Sequence, residues 1–206
     1  AFGGPLPREG IGAEASYAAM VSTVRPYPMG NIHPRFWAWY MGAGNIVGAL
    51  GDFLAAIDGS NLGGGNIAPA LLERQVIRWM AEIVGFPETA GGTLTSGGSV
   101  ANLIGLTVAR NVKAGHDVRA DGLGGARLRY YASDQVHSCH TKAMEILGLG
   151  HKALRLIPAD ADGRLPLAEL AQAVAEDRVV GIRPVAVIGS AGTVNTGAFD
   201  NLDALA

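Results

Sequence analysis

One cysteine, Cys139, is all that the 206 residues contain. A disulfide framework within the chain is thereby excluded, and the count suits a reducing cytoplasm. Charge is sparse too, at 17% of residues, and the net charge is −2 with no long basic run. Nucleic acid and anionic membrane surfaces are therefore not the expected partners. No apolar run reaches the ~18 residues of a membrane-spanning helix. The opening Ala1-Phe2-Gly3-Gly4-Pro5 has neither the basic start nor the apolar core of a signal peptide. It also lacks a starting Met, and residues 201–206 stop inside a helical pattern. Both ends lead us to expect a piece of a longer protein. Neither G-x-G-x-x-G nor G-x-x-x-x-G-K-[ST] nor G-x-S-x-G occurs, which removes the dinucleotide fingerprint, the P-loop and the hydrolase elbow.

What is present is a core-building composition: 49% of residues are hydrophobic, and the 30 glycines cluster at turns without a period. Residues 1–30 are rich in Gly and Pro, with one short helical pattern at 13–24. The run Asn31-Ile32-His33-Pro34-Arg35-Phe36-Trp37-Ala38-Trp39-Tyr40-Met41 follows. Such aromatic density reads either as a core or interface anchor or as a substrate pocket. Helical periodicity marks 45–57 and 69–84, with a loop by composition at 59–66. Beyond residue 90, strands and helices alternate. Strands are predicted at 127–132, 153–157 and 184–188, and helices at 100–113, 136–147 and 167–174. That order argues for an α/β fold with a mostly parallel sheet.

The organising stretch is Gly91 to Asn102, G-G-T-L-T-S-G-G-S-V-A-N. Residues 93–95 read as a short strand, and Ser99 sits where a helix N-cap belongs. The glycines permit a sharp turn and leave backbone N–H groups uncovered. The first amides of a helix have no internal partner, and its dipole favours negative charge there. Two readings stay open: a phosphate cradle, or a tight connection with no ligand. Ligands of parallel sheets sit beyond the carboxyl ends of the strands. The polar loops 96–99, 133–140 and 190–196 are therefore expected to converge.

The loop Ser133-Asp134-Gln135-Val136-His137-Ser138-Cys139-His140 holds the most chemistry. Its spacing fits no common zinc motif, and no second ligand cluster exists, so no metal is expected. Cys139 shows no base or orienter that would make it a nucleophile. From the residues alone, His137 equally well packs and caps a helix.

Four ordered stretches, H-P-R-F-W, T-S-G-G-S-V-A-N, Y-Y-A-S-D-Q-V-H-S-C-H-T-K-A and G-S-A-G-T-V-N-T-G-A-F-D-N-L, together resemble the group II pyridoxal-phosphate (PLP) amino-acid decarboxylases. The resemblance runs from about Pro26 onward and spans less than half of a family member. It implies PLP fold type I, an aspartate-aminotransferase-like αβα sandwich working as a cytoplasmic homodimer. Residues 1–45 would be an N-terminal arm at the dimer interface, and 46–206 the first part of the large PLP-binding domain. Gly97, Gly98 and Ser99 would hold the PLP phosphate. His137 would stack on the ring as the catalytic histidine, and Thr193 would lie beside the ring's 3-oxygen. The second position after Gly192, often Thr in the family, is Val194 here. His33, Trp39 and Tyr40 would help line the substrate pocket. The implied reaction is decarboxylation of an L-amino acid to an amine and CO2.

The family's Asp for the pyridinium nitrogen and its Schiff-base Lys would both follow residue 206. By resemblance, none of Lys113, Lys142 and Lys152 is that lysine, and His151-Lys152 reads as a surface pair. Two alternatives accompany this reading. One is another fold-type-I lyase or an aldehyde-forming oxidative decarboxylase. The other is a noncatalytic PLP-binding or dimerising module.

Overall fold

A computed structural model describes residues 4, 6–38, 41–60, 63 and 66–206. Contacts divide the chain into two compact units, Ala1–Gly59 and Ser60–Ala206. The first carries α1 (Ala13–Thr23) and α2 (Ile46–Asp58). The Asn45 side chain caps α2, accepting the Gly48 N–H at 2.8 Å. Gly59 ends the helix in the left-handed conformation that a Cβ would disfavour. Neither helix buries a residue.

The second unit begins with α3 (Ala68–Ile83) and α4 (Gly98–Lys113). A short α5 (Val118–Asp121) precedes β1 (Leu128–Ser133), α6 (Cys139–Ile146), a 3-10 turn (His151–Ala153) and β2 (Leu154–Ile157). The chain continues through α7 (Leu167–Val179) and β3 (Arg183–Ile188) to α8 (Leu202–Leu205). The three strands form a parallel sheet in the order β2-β1-β3. The β1–β3 register slips between Arg129 and Tyr130, opposite Pro184. Proline has no N–H to give the ladder, so a slip at that point skips the missing donor.

The centre of the sheet is β1, and alternation along it sends two adjacent tyrosines to opposite faces. Both are almost wholly buried. The Tyr130 hydroxyl donates to the Leu106 carbonyl of α4 at 3.1 Å. It joins a cluster with Met144 and Leu147 from the α6 side, and with Leu154 and Val185 of the neighbouring strands. On the other face, the Tyr131 hydroxyl donates to Asp177 Oδ2 of α7 at 3.0 Å. Leu165, Leu170 and Ala173 pack around it. Burial pushes the Tyr130 pKa up to about 12, and burial plus the Asp177 bond also raises that of Tyr131. Both therefore stay neutral donors. Helices on both faces of a parallel sheet make the αβα layering that the sequence predicts.

Several boundaries differ from expectation, each for a local reason. Residues 93–95 form no strand. No neighbouring strand pairs with them among the described residues, and the Leu94 N–H donates instead to Glu73 Oε1 at 3.0 Å. Helix α6 starts at Cys139 rather than 136, because the Ser133 hydroxyl accepts the Gln135 N–H at 3.0 Å and holds a turn there. Helix α7 runs on to Val179, and the chain turns at Gly181 with positive φ. The short α5 was not foreseen; the Asp117 carboxylate caps it through the amides of Arg119 and Ala120. No helix among the described residues is long and apolar enough to cross a membrane.

Large apolar side chains stay open on α2 and α3, among them Val47, Phe53, Leu72 and Ile83. Exposed apolar residues in such number on a helix favour association. The isolated 206-residue chain is therefore expected to form ill-defined oligomers on size exclusion and to bind a hydrophobic dye; a sharp peak with cooperative melting would contradict this. Asp177 is buried and meets Arg129 and Arg155, each at 3.3 Å. Asp177→Ala strands those groups and the Tyr131 hydroxyl, so a loss of about 3 kcal/mol in urea unfolding is expected. A change under about 0.5 kcal/mol, the usual range for surface substitutions, would contradict the clamp.

Candidate functional site

Because the strands are parallel and adjacent, the loops that follow them leave the same edge of the sheet. Two carboxylates join these loops. Asp134, after β1, donates its amide to the Ile157 carbonyl at 2.9 Å, and its Oδ1 accepts the Ala159 N–H at 3.2 Å. Asp200, after β3, is buried. Its Oδ1 accepts the Leu165 N–H and its Oδ2 the Ser190 N–H, both at 2.7 Å. The loop after β2 is thus tied to both its neighbours. Sequence reasoning did not single out Asp134 and Asp200 as ties. Their two-sided bonding depends on residues 10 to 35 positions away, which spacing along the chain does not reveal.

The cradle lies at the start of α4. The helix begins two residues earlier than a Ser99 cap would require: Gly97 is the N-cap, and no side chain caps it. Gly97 offers only its carbonyl, which accepts from Val100 and Ala101, each at 3.1 Å. The amides of Gly98 and Ser99 open the helix without a side-chain partner. Gly97 is extended, with φ of 163°, a conformation open to any residue. Among the described residues, a Cβ at Gly97 or Gly98 would meet nothing within 4 Å beyond its chain neighbours and its own helix. Neither strain nor packing explains these glycines. Their bareness suits close approach of something other than the chain, and open helix-start amides suit an anion.

His137 sits in the loop between β1 and α6, with its ring exposed. Its Nδ1 accepts the Cys139 N–H at 3.2 Å, and no hydrogen bond to Nε2 is present among the described residues. Cradle and loop are joined by Asn102 and His140, two residues to which the sequence reading gave no linking role. His140 is buried, its Nδ1 is 2.9 Å from the His137 carbonyl oxygen, and its Nε2 is 3.2 Å from Asn102 Oδ1. The Asn102 amide donates in turn to the Gly98 carbonyl at 2.8 Å. Burial holds the His140 pKa below the usual histidine value, against the pull of the His137 carbonyl. Burial also raises the Cys139 thiol pKa, which keeps it a protonated, buried group.

Thr193 is buried, and its hydroxyl lies 2.6 Å from that of Thr196 while accepting the Ala198 N–H at 3.1 Å. The pair shares one hydrogen internally, so one hydroxyl hydrogen remains to give elsewhere. His33, in the first unit, is exposed, and its Nδ1 accepts the Arg35 N–H at 3.1 Å. Trp39 and Tyr40 lie outside the described residues. Lys113 ends α4, far along the helix from the cradle. Lys152 lies in the exposed 3-10 turn that enters β2, at the opposite edge of the sheet. Among the described residues, no group of three His, Cys, Asp or Glu side chains is placed to hold a metal ion.

The fold and site define a parallel α/β protein with an anion-ready helix start and an open histidine at one sheet edge. Comparison with known proteins gives the family: residues 20–206 match the pyridoxal-dependent decarboxylase conserved domain, and the chain belongs to that family. It is 37% identical over 183 residues to an aromatic-L-amino-acid decarboxylase of Bacillus atrophaeus, covering 84% of this chain and 35% of that protein. The mouse CSAD structure in apo form superposes with a TM-score of 0.88 at 27% identity, over 97% of this chain and 42% of that one. The Oryza sativa TDC structure with PLP and tryptamine gives 0.86 at 26% identity, over 98% and 43%. The fold is thus that of the PLP decarboxylases, fold type I, and the chain spans well under half the length of these relatives.

Replacing Asp200 by Asn sets an NH2 group against one of two backbone N–H donors. We expect a loss of about 2 kcal/mol in stability and faster hydrogen exchange at the Leu165 or Ser190 amide. Unchanged exchange at both would contradict the tie between the two loops.

Proposed function

We propose that this chain is the cofactor-binding N-terminal part of a PLP-dependent L-amino-acid decarboxylase. One observation carries the assignment to these residues: no described residue packs against Gly97 and Gly98, at an uncapped helix start tied to the loop of an exposed histidine. The phosphate of PLP would lie against the amides of Gly98 and Ser99, beside Gly97, where the dipole of α4 favours its charge. His137 would offer a ring face to the pyridine and Nε2 to the substrate carboxylate. The hydroxyl pair of Thr193 and Thr196 has one hydrogen to give to an oxygen on the ring. PLP, when bound, supplies the electron sink for breaking the bond between Cα and the carboxylate. The chain's own residues anchor and orient, which selects the bond that breaks.

His33, Trp39 and Tyr40 are the proposed contributors to the substrate pocket. Residues 1–45 are the proposed arm of a cytoplasmic homodimer, and 46–206 the first part of the large domain. The lysine that holds the cofactor and the Asp that faces the ring nitrogen are assigned to the part of the protein that this chain does not span. Lys113, Lys142 and Lys152 are not that lysine.

The test uses the full-length protein, stripped of cofactor and titrated with PLP. Saturable binding and CO2 release from an L-amino acid are expected, with equal amine yield under air and argon. Oxygen-dependent aldehyde and ammonia would instead assign the oxidative reaction. Gly98→Val places a side chain in the cradle at a position where a Cβ meets no described residue outside its own helix within 4 Å. PLP affinity should fall by about tenfold or more, since a charge-assisted hydrogen bond is lost, with the melting temperature of the cofactor-free protein held. Unchanged PLP affinity in this variant would remove the cradle assignment.

A further inference from the structure

The chain of contacts from the His137 carbonyl through His140 and Asn102 to the Gly98 carbonyl has a polarity problem. Both ends are carbonyl oxygens, which only accept. A neutral His140 ring has one N–H. With that hydrogen on Nδ1, the ring bonds His137 and leaves a lone pair at Nε2. Asn102 then donates either to Nε2 or to Gly98, and the other contact sets two acceptors face to face. With the hydrogen on Nε2, the His137 contact is the one that fails. A neutral ring therefore makes two of the three links in every arrangement, while a ring protonated on both nitrogens makes all three. The distances are those of a chain with all three closed: 2.9, 3.2 and 2.8 Å.

The surroundings leave His140 free to respond to charge at the cradle. Beside it in its own segment stand His137, Lys142 and Cys139, whose Sγ lies 3.6 Å from Nδ1. Helix α4 presents the uncharged Asn102. The charged side chain of β2, Arg155, turns to Glu176 and Asp177 of α7. His151 of the 3-10 turn pairs with Glu145 at the far end of α6. No described carboxylate pairs with the ring, and burial disfavours its charge. An anion at the start of α4 would shift that balance toward the charged ring. By linkage, the charged ring would bind the anion more tightly.

We propose that His140 and Asn102 form a proton-dependent positioning bridge between the phosphate cradle and His137. It closes end to end, with a proton taken up from solvent, when an anion occupies the cradle. The proposal rests on the cofactor reading above and deepens it. Neither residue touches the cofactor; the bridge sets the spacing between the phosphate anchor and the ring-facing histidine.

The experiment is PLP binding to the cofactor-free full-length protein at about pH 6 and about pH 8, on either side of the histidine range. Wild type is compared with His140→Phe and Asn102→Asp. His140→Phe should weaken PLP by about tenfold at the lower pH and by about twofold at the higher, since the third link is present only in the protonated wild type. The visible circular dichroism of the bound cofactor should change with it. Asn102→Asp keeps an acceptor for Nε2–H and holds the ring charged, so its PLP affinity should lose the wild-type pH dependence. An equal loss at both pH values, or none, overturns the bridge while leaving the cofactor reading intact. Failure of the wild type to bind PLP overturns the cofactor reading. The bridge is then judged by hydrogen exchange in the cofactor-free protein with inorganic phosphate supplied as the cradle's anion. After correction for intrinsic rates, exchange across residues 98–102 should be slower at the lower pH in wild type but not in His140→Phe. Identical behaviour of the two proteins overturns it.

Discussion

Two adjacent tyrosines on the central strand hold the layers together. A strand sends consecutive side chains to opposite faces, so Tyr130 and Tyr131 each reach a different helix. Tyr130 fixes α4 through the Leu106 carbonyl, and Tyr131 fixes α7 through Asp177. Each hydroxyl is buried, and an unpaired hydroxyl there would be costly, so each tyrosine specifies the helix above it as well as filling space. The Tyr130 bond bears most on the proposed site, because it holds the middle of the helix whose start is the candidate cradle. A shift of α4 along the sheet would move the Gly98 and Ser99 amides away from the His137 loop.

With the layers fixed, the parallel order β2-β1-β3 puts all three following loops at one edge. Side chains then fix the loops to one another. Asp134 and Asp200 do this with backbone donors on both sides, and Asn102 with His140 does it between helix and loop. Among the described residues, the groups proposed to meet the cofactor stay available: helix-start amides without a side-chain partner, unpacked glycines, and an exposed histidine that uses only its Nδ1. Packing and recognition are thus carried by different residues within a few positions of each other.

Local patterns were legible where apolar residues recur with a period. The helical spacing of Leu71, Leu72, Val76 and Trp79 marked α3, and the apolar run Pro184-Val185-Ala186-Val187-Ile188 marked β3, each to within a residue or so. The alternation of strands and helices gave the parallel sheet and the shared edge. Ser99 misled as a cap, because capping preference does not say how far back a helix reaches through two permissive glycines. The short strand at 93–95 did not form, since a strand is defined by its partner and Glu73 captures the Leu94 amide instead. The start of α6 was lost to one hydroxyl, that of Ser133. At the site, the motifs singled out the residues now proposed to carry chemistry, Gly97, Gly98, Ser99 and His137. They did not show what connects them: Asn102 and His140 are 38 residues apart and meet only in the fold.

The central claim is that the start of α4 anchors a cofactor phosphate and the neighbouring loop places His137 against its ring. A crystal structure of the full-length protein grown with PLP tests this most directly. The account predicts phosphate oxygens within hydrogen-bonding distance of the Gly98 and Ser99 amides, with the imidazole of His137 parallel to the pyridine ring. A phosphate bound elsewhere, or a His137 ring turned away from the cofactor, would contradict it.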